Sequence, residues 1–154
     1  MKLIKSIILS MLIFSSTYSL AEPLPQESPE LKQLIAMGFD IISPKKDPQW
    51  TLAKSSNSTI LVQKNEDTVL FVRLFTRVKL SDSDENKLLK VINKINVDLT
   101  YQVALNPESL GFARYQTGPF NPKVFAEQIR FMEQIDYVLE GYRKDHIFEL
   151  LNGK

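Results

Sequence analysis

The clearest pattern in the chain is a strict alternation between residues 68 and 79. Positions of one parity are almost wholly apolar: Leu70, Val72, Leu74, Thr76 and Val78. Positions of the other parity mix aromatic and basic side chains: Val69, Phe71, Arg73, Phe75 and Arg77. Successive side chains of a strand point to opposite faces of its sheet. We therefore predict a strand here, and expect its almost wholly apolar face to meet the core.

Five further segments have strand character. Residues 50–53 and 59–63 precede the alternating strand and are separated by a polar run, which predicts a three-stranded antiparallel meander. Residues 39–43 are also rich in β-formers, but Pro44 and Pro48 follow, so any strand there is short or lies at an edge. Residues 99–105 and 110–116 predict a second hairpin, joined by the turn sequence Asn106-Pro107.

Three segments have helical spacing. The first begins with Ser28 as N-cap and Pro29 at the first helical position, and ends at Gly38. The second begins at Ser83. The third begins at Asn121, is the longest, and is expected to run as one helix until Gly141 ends or bends it.

The resulting order of elements is α-β-β-β-α-β-β-α. Strands grouped in meanders, rather than alternating one by one with helices, are typical of an antiparallel sheet. We predict an α+β domain with an antiparallel sheet of about five strands and helices packed on the sheet.

The N-terminal segment is expected not to belong to the domain. Lys2 and Lys5 precede an apolar run, Ile7–Phe14, and small residues follow at Ser19 and Ala21. This pattern predicts a secretory signal, residues 1–21, cleaved after Ala21. The alternative is a retained membrane anchor, but the apolar run is well short of the roughly 20 residues that span a bilayer. We expect a periplasmic or secreted protein with no stable membrane insertion after cleavage.

Composition and net charge limit the size, the stabilisation and the partners of the exported part. Removing 21 of 154 residues leaves 133, which we divide into a short disordered Pro-rich leader, residues 22–27, and one domain, residues 28–154. The chain has no cysteine, so packing alone must stabilise it. Two of the 19 basic residues lie in the signal, which leaves 17 basic and 18 acidic residues. A net charge near −1 gives no attraction for nucleic acid, which we exclude as a partner.

One local motif, together with the element order, resembles a known family. The stretch Val91–Asn96 closes the middle helix, a strand, a turn and a strand follow (Tyr101–Leu105 and Leu110–Ala113), and a long helix opens at Asn121. Over residues 29–142 this resembles the bacterial YbjN-type proteins, which are labelled sensory transduction regulators and share the fold of type III secretion chaperones. The resemblance implies a helix-covered antiparallel sheet, binding of polypeptides or self-pairing, and no catalytic residues. Family members are mostly regarded as cytoplasmic, whereas this chain carries an export signal.

Residues that could carry chemistry are few. His146 is the single histidine, and a metal site would need it together with Asp145 and Glu149 on a C-terminal turn, a poor frame for a transition metal. There is no cysteine and no G-x-S-x-G motif, so nucleophilic catalysis lacks its usual groups. We expect no catalytic residue, no metal and no cofactor.

Seven residues are candidates for contact with a partner: Trp50, Phe71, Arg73, Phe75, Arg77, Asn93 and Asn96. Each has a structural alternative. Trp50 could pack on the sheet edge, and Asn96 could end its helix in a left-handed conformation while Asn93 bonds nearby backbone. The aromatic and basic face of the alternating strand is either covered by a helix, with its arginines reaching outward, or open to a peptide or a second subunit; we favour the open surface.

These observations favour a non-enzymatic, protein-binding or chaperone-like module that acts as a monomer or homodimer. The alternative is an envelope protein that binds a small ligand, or hydrolyses one weakly, in a pocket between the sheet and the helices.

Overall fold

The computed structural model describes residues 23–43, 49–99, 102–105 and 108–152. The predicted signal, Tyr101 and the predicted turn at Asn106-Pro107 lie outside these ranges. None of the described helices is long and apolar enough to cross a membrane.

The sheet has six antiparallel strands in the order β1-β2-β3-β4-β6-β5. Their bounds are β1 Asp40–Ile42, β2 Thr51–Lys54, β3 Thr59–Asn65, β4 Thr68–Thr76, β5 Gln102–Leu105 and β6 Ser109–Thr117. The predicted α+β class is confirmed. The strand count exceeds the predicted five because residues 40–42 pair with β2, as a short edge strand.

The helices interrupt the strands in the predicted order. Their bounds are α1 Pro29–Ala36, α2 Asp82–Asp98, α3 Pro122–Glu133, α4 Ile135–Gly141 and α5 Ile147–Asn152, with a 3₁₀ turn at Arg143–Asp145.

Helix starts follow local side-chain chemistry. The Ser28 hydroxyl accepts a hydrogen bond from the Leu31 N–H at 3.2 Å, and the Asn121 side chain accepts from Lys123 and Val124 at 3.0 and 3.2 Å. Each is followed by proline at the first helical position, as predicted. The prediction for α2 was wrong by two residues, because the cap is Ser81 and not Ser83.

Helix ends were predicted less well. Gly38 follows α1 with φ +86°, a conformation that glycine adopts without strain, so that prediction is confirmed. Asn96 does not end α2, which continues to Asp98 and is capped by Leu99 in an extended conformation. The predicted long third helix is two helices, α3 and α4, separated at Gln134.

The five helices that the structure describes all pack on one face of the sheet. The main core consists of their buried side chains packed against the strand side chains that point to this face, among them Ile60, Val62, Val69, Phe71 and Phe112. The Phe71 ring meets Phe125 of α3 at 5.2 Å between centroids. We expected the side chains that alternate with Phe71, such as Leu70 and Val72, to face the main core, and that expectation was therefore wrong. Both parities of β4 are apolar enough to be buried, and the helices lie over the aromatic one.

Both ends of the described chain pack on the domain. Leu24, in the predicted disordered leader, is 5% exposed and belongs to the main core, and its N–H donates to the Thr51 hydroxyl at 2.9 Å. At the other end, Ile147, Leu150 and Leu151 of α5 are buried in the same core. The apolar side chains of α5 are therefore part of the domain core.

Candidate functional site

Arg73 fastens the end of α3 to the centre of the sheet. Its guanidinium donates to the carbonyl oxygens of Met132 and Glu133, at 3.0 and 3.1 Å, and pairs with the Asp136 carboxylate. The residue is only 6% exposed. These carbonyl groups lie beside the break between α3 and α4, where the regular hydrogen bonds of the helix are interrupted. The Arg73 guanidinium supplies donors for them. The Arg73 side chain therefore turns toward the helices instead of reaching outward.

Arg77 makes a second attachment, just after β4 ends. It is 9% exposed, and its guanidinium binds both carboxylate oxygens of Glu85 in the first turn of α2. Phe75 packs edge-on against Phe112, with ring centroids 5.7 Å apart. Together with the fully buried Phe71, these side chains hold the helices on the sheet. The favoured open surface on this face was wrong, and the alternative, a helix-covered face, is what the structure has.

Asn96 caps the outer edge of β5. Its side-chain oxygen accepts from the Val103 N–H at 2.8 Å, and its amide nitrogen donates to the Val103 carbonyl at 3.3 Å. The amide thus pairs with β5 as a neighbouring strand would. Because that N–H is already engaged, another chain cannot pair with this position. Asn93, one turn earlier, is exposed.

Replacing Asn96 by alanine is expected to lower the free energy of unfolding by about 1–2 kcal/mol, because two partly buried hydrogen bonds to backbone are lost. Asn93→Ala is the matched control on the same helix and should change stability by less than about 0.5 kcal/mol. Urea unfolding followed by circular dichroism measures both. Equal stabilities of the two variants would contradict a structural role for Asn96.

The second face of the sheet carries its own apolar cluster. We call it the rear face: Trp50 with Leu52, Leu61, Leu70, Val72, Leu74, Ala113 and Tyr115. All of its members are strand residues except Trp50, which directly precedes β2. The buried apolar residues of every described helix belong instead to the main core. Trp50, Leu70 and Val72 are 3%, 2% and 1% exposed, although no described helix packs over them.

The rear face is also uncharged across its three central strands. In β3, β4 and β6, the remaining residues of the same parity are polar but neutral, or glycine: Thr59, Gln63, Asn65, Thr68, Thr76, Ser109, Gly111 and Thr117. Charge enters only at the β1–β2 edge, where Asp40 lies opposite Lys54. A surface of this composition suits an apolar occupant and offers no counter-charge to a nucleic acid or an acidic ligand.

Clefts lined by described residues lie at the rim of the domain, and two of them are considered in turn. One, of about 820 Å³, lies between the start of α2 and the C-terminal turns and is lined by His146. The other, of about 620 Å³, lies between the loop at residues 55–58 and α4 and is lined by Arg73 and Phe75. In the second cleft the Ser55 hydroxyl donates to Glu133 at 3.2 Å, and the single histidine is not among the lining residues. The described interior between sheet and helices is filled by Phe71, Phe112 and Phe125, each 0% exposed.

Titratable groups near the first cleft behave as ion pairs. The hydrogen bond from Lys87 lowers the pKa of the Asp84 carboxyl, and the bond to Asp145 raises the pKa of Lys94. Both shifts favour the charged form, whereas a proton-transfer group needs a pKa near the working pH. His146 is exposed, with 77% of its side chain accessible. No group of three or more potential metal ligands occurs among the described residues.

Comparison with known proteins identifies a similar fold in a solved structure. No protein-family model matches the sequence, and no curated protein matches it. A solved structure does match: YbjN of E. coli, described as a candidate transcription regulator, aligns with a TM-score of 0.57 over 75% of this chain and 89% of its own. The chain has a YbjN-like fold. The sequence identity is 17%, so the likeness to YbjN concerns the arrangement of helices and strands. The resemblance inferred from the residues is confirmed at that level.

Proposed function

We propose that this chain is an exported, non-enzymatic module that binds apolar polypeptide segments on the rear face of its sheet. The observation that carries the proposal is the composition of that face: Leu61, Leu70, Val72 and their neighbours form a continuous apolar surface without charge on the central strands. Strands about 4.8 Å apart and about six residues long make a patch of roughly 300–400 Å². Exposed apolar patches of this size on a monomer are often functional, and the half-buried members Leu52, Leu74 and Tyr115 are the part of this face that a partner meets first.

The structural similarity to YbjN supports a binding role. The charge balance of the chain favours a polypeptide over a nucleic acid as the partner. YbjN of E. coli is described as a candidate transcription regulator. In this chain, removal of the predicted signal leaves 17 basic and 18 acidic residues, so the exported part has no positive field for DNA. The alternative, a small-ligand or hydrolytic site between the sheet and the helices, is less well supported, because Phe71, Phe112 and Phe125 fill the described interior and the two clefts lie at its rim.

A binding experiment with residues 22–154 tests the proposal. The probe is reduced, carboxymethylated α-lactalbumin, a permanently unfolded chain that carries a fluorescent dye, and the signal is the fluorescence anisotropy of that dye. Leu74→Asp places a charge on the rear face and should weaken binding at least tenfold, about 1.4 kcal/mol. The matched control is Val97→Asp, since Val97 is 85% exposed on the helix layer. It should bind as the parent does.

Tyr115→Asp is a second rear-face variant, and circular dichroism establishes that each variant is folded. Binding that is equally strong in the rear-face variants and in Val97→Asp would reject the rear face as the site. No binding by the parent chain would reject the proposed function itself.

A further inference from the structure

The cleft between the start of α2 and the C-terminal turns combines an apolar floor with a basic rim. The floor consists of Leu80, Val91 and Leu150, of which the last two are buried in the main core. The rim carries four lysines: Lys79, Lys87, Lys90 and Lys144. Lysine side chains lay their methylene stems on apolar surface and keep the ammonium group in water. A ligand that matches this cleft therefore has an apolar part and a negatively charged part.

Two of the acidic residues that line the cleft already have a cationic partner. The Asp84 carboxylate accepts a hydrogen bond from Lys87 at 2.7 Å, and the Asp145 carboxylate accepts one from Lys94 at 2.8 Å. The third acidic lining residue, Glu149, is exposed, and its carboxylate lies 4.0 Å from the ring of the single histidine. The carboxylates of Asp84 and Asp145 are therefore neutralised, and that of Glu149 is not.

The other three lysines of the rim lack such a partner. Lys79, Lys90 and Lys144 are exposed, and none of them forms an ion pair within the part of the chain that the structure describes. Against the one carboxylate of Glu149, and counting the histidine as neutral, they leave an excess of two positive charges. A phosphate monoester carries about −1.5 to −2 elementary charges at neutral pH. Charge balance thus favours a phosphate head over a single carboxylate.

The type of basic residue agrees with this choice. Lysine is a common phosphate ligand that acts as a point charge, whereas arginine has the planar fork that fits a carboxylate with two hydrogen bonds. All four basic side chains on the rim, apart from the histidine, are lysines, among the described residues that line the cleft.

The two walls of the cleft are fixed to each other. The Val78 N–H, just before α2, donates to the Leu151 carbonyl of α5 at 3.3 Å, and the bond between Lys94 and Asp145 joins α2 to the 3₁₀ turn. The volume of about 820 Å³ is within the range of small-molecule sites, about 300–1,000 Å³. The cleft is therefore formed before a ligand arrives and is large enough for one.

We propose that this cleft binds the phosphate monoester of a small amphipathic molecule. Lys79, Lys90 and Lys144 surround the phosphate, and the apolar chain of the ligand lies on Leu80 and Leu150. The site is separate from the rear face, and the inference does not depend on the proposed function.

Isothermal titration calorimetry with octyl phosphate, below its critical micelle concentration, tests the inference. The protein is residues 22–154, which include every described helix and strand. We expect octyl phosphate to bind at least about tenfold more tightly than inorganic phosphate, because the alkyl chain buries apolar surface. Octyltrimethylammonium, which has the same chain and the opposite charge, should not bind.

Variants separate the phosphate contacts from the apolar contact. Lys90→Gln with Lys144→Gln should weaken octyl phosphate binding about tenfold, because two charged donors are lost. Lys123→Gln with Arg130→Gln removes the same charge from exposed positions on α3 and should bind as the parent does. Leu80→Ala should weaken octyl phosphate about threefold and leave inorganic phosphate unchanged. Circular dichroism establishes that each variant is folded.

Equal affinities of the cleft variant and the α3 control would overturn the inference, as would the absence of binding by the parent. Inorganic phosphate that binds as tightly as octyl phosphate would reject an amphipathic ligand. Binding only to vesicles that contain phosphatidate, with none of the monomeric ester, would make a membrane surface the occupant and also overturn it. Leu74→Asp, on the rear face, should bind octyl phosphate as the parent does, so the proposed function is judged separately.

Discussion

Replacing Phe71 by alanine is expected to lower the free energy of unfolding by about 3–5 kcal/mol. The ring is fully buried in the main core and packs edge-on against Phe125 of α3. Its removal forfeits both the transfer free energy of the side chain and the contacts across the resulting cavity. Because a domain of this size is stable by only about 5–15 kcal/mol, the variant should be close to unfolding at ambient temperature. Urea unfolding followed by circular dichroism measures the loss.

The control for this variant is Phe131→Ala. Phe131 is 41% exposed on α3, and its ring lies under the Arg114 guanidinium at 4.1 Å. Its loss should cost less than about 1 kcal/mol, the value of an exposed cation–π contact. Similar stabilities of Phe71→Ala and Phe131→Ala, with client binding lost only in the former, would restore Phe71 as a partner-contacting residue.

Replacing Arg73 by methionine is expected to lower the free energy of unfolding by about 2–3 kcal/mol. Methionine keeps the apolar stem but removes the charged donor that bonds the carbonyls of Met132 and Glu133. Those carbonyls lie beside the break between α3 and α4, so amide hydrogen exchange should accelerate around Gln134 as well. Arg130→Met, an exposed arginine in the last turn of α3, is the matched control and should have an effect below about 0.5 kcal/mol.

Asp136→Asn separates the two kinds of contact that Arg73 makes. The Asp136 side chain is 60% exposed, so its ion pair with Arg73 is screened by water and should contribute no more than about 1 kcal/mol. A loss as large as that of Arg73→Met would show that the ion pair, and not the bonding to the helix carbonyls, carries the effect.

The features predicted correctly from the sequence depend on neighbours in the chain. Ser28 and Asn121 cap their helices through N–H groups two or three residues away, and a proline follows each. The alternation from Val69 to Phe75 defines a strand whatever it packs on. The order of such elements was enough to predict an α+β domain with an antiparallel sheet.

The candidate residues show where this local information ends. Arg73 was expected on an open surface because arginine and aromatic side chains are enriched in protein interfaces, but its acceptors are carbonyl groups 59 and 60 residues away. Asn96 was expected to end a helix or meet a partner, and it instead bonds the backbone of Val103. Trp50 belongs to the rear face, where it packs with apolar residues of β3, β4 and β6 that lie up to 63 positions away in the chain.

The sequence by itself determined the type and order of the elements, because caps, turns and strand alternation act over a few residues. Which face of the sheet the helices cover was decided only in the tertiary structure. Both faces of β4 are apolar, so the choice depends on contacts such as Phe71 with Phe125 and Arg77 with Glu85, which form only when distant segments meet. The same choice leaves Leu70 and Val72 on the rear face, where we propose that binding occurs.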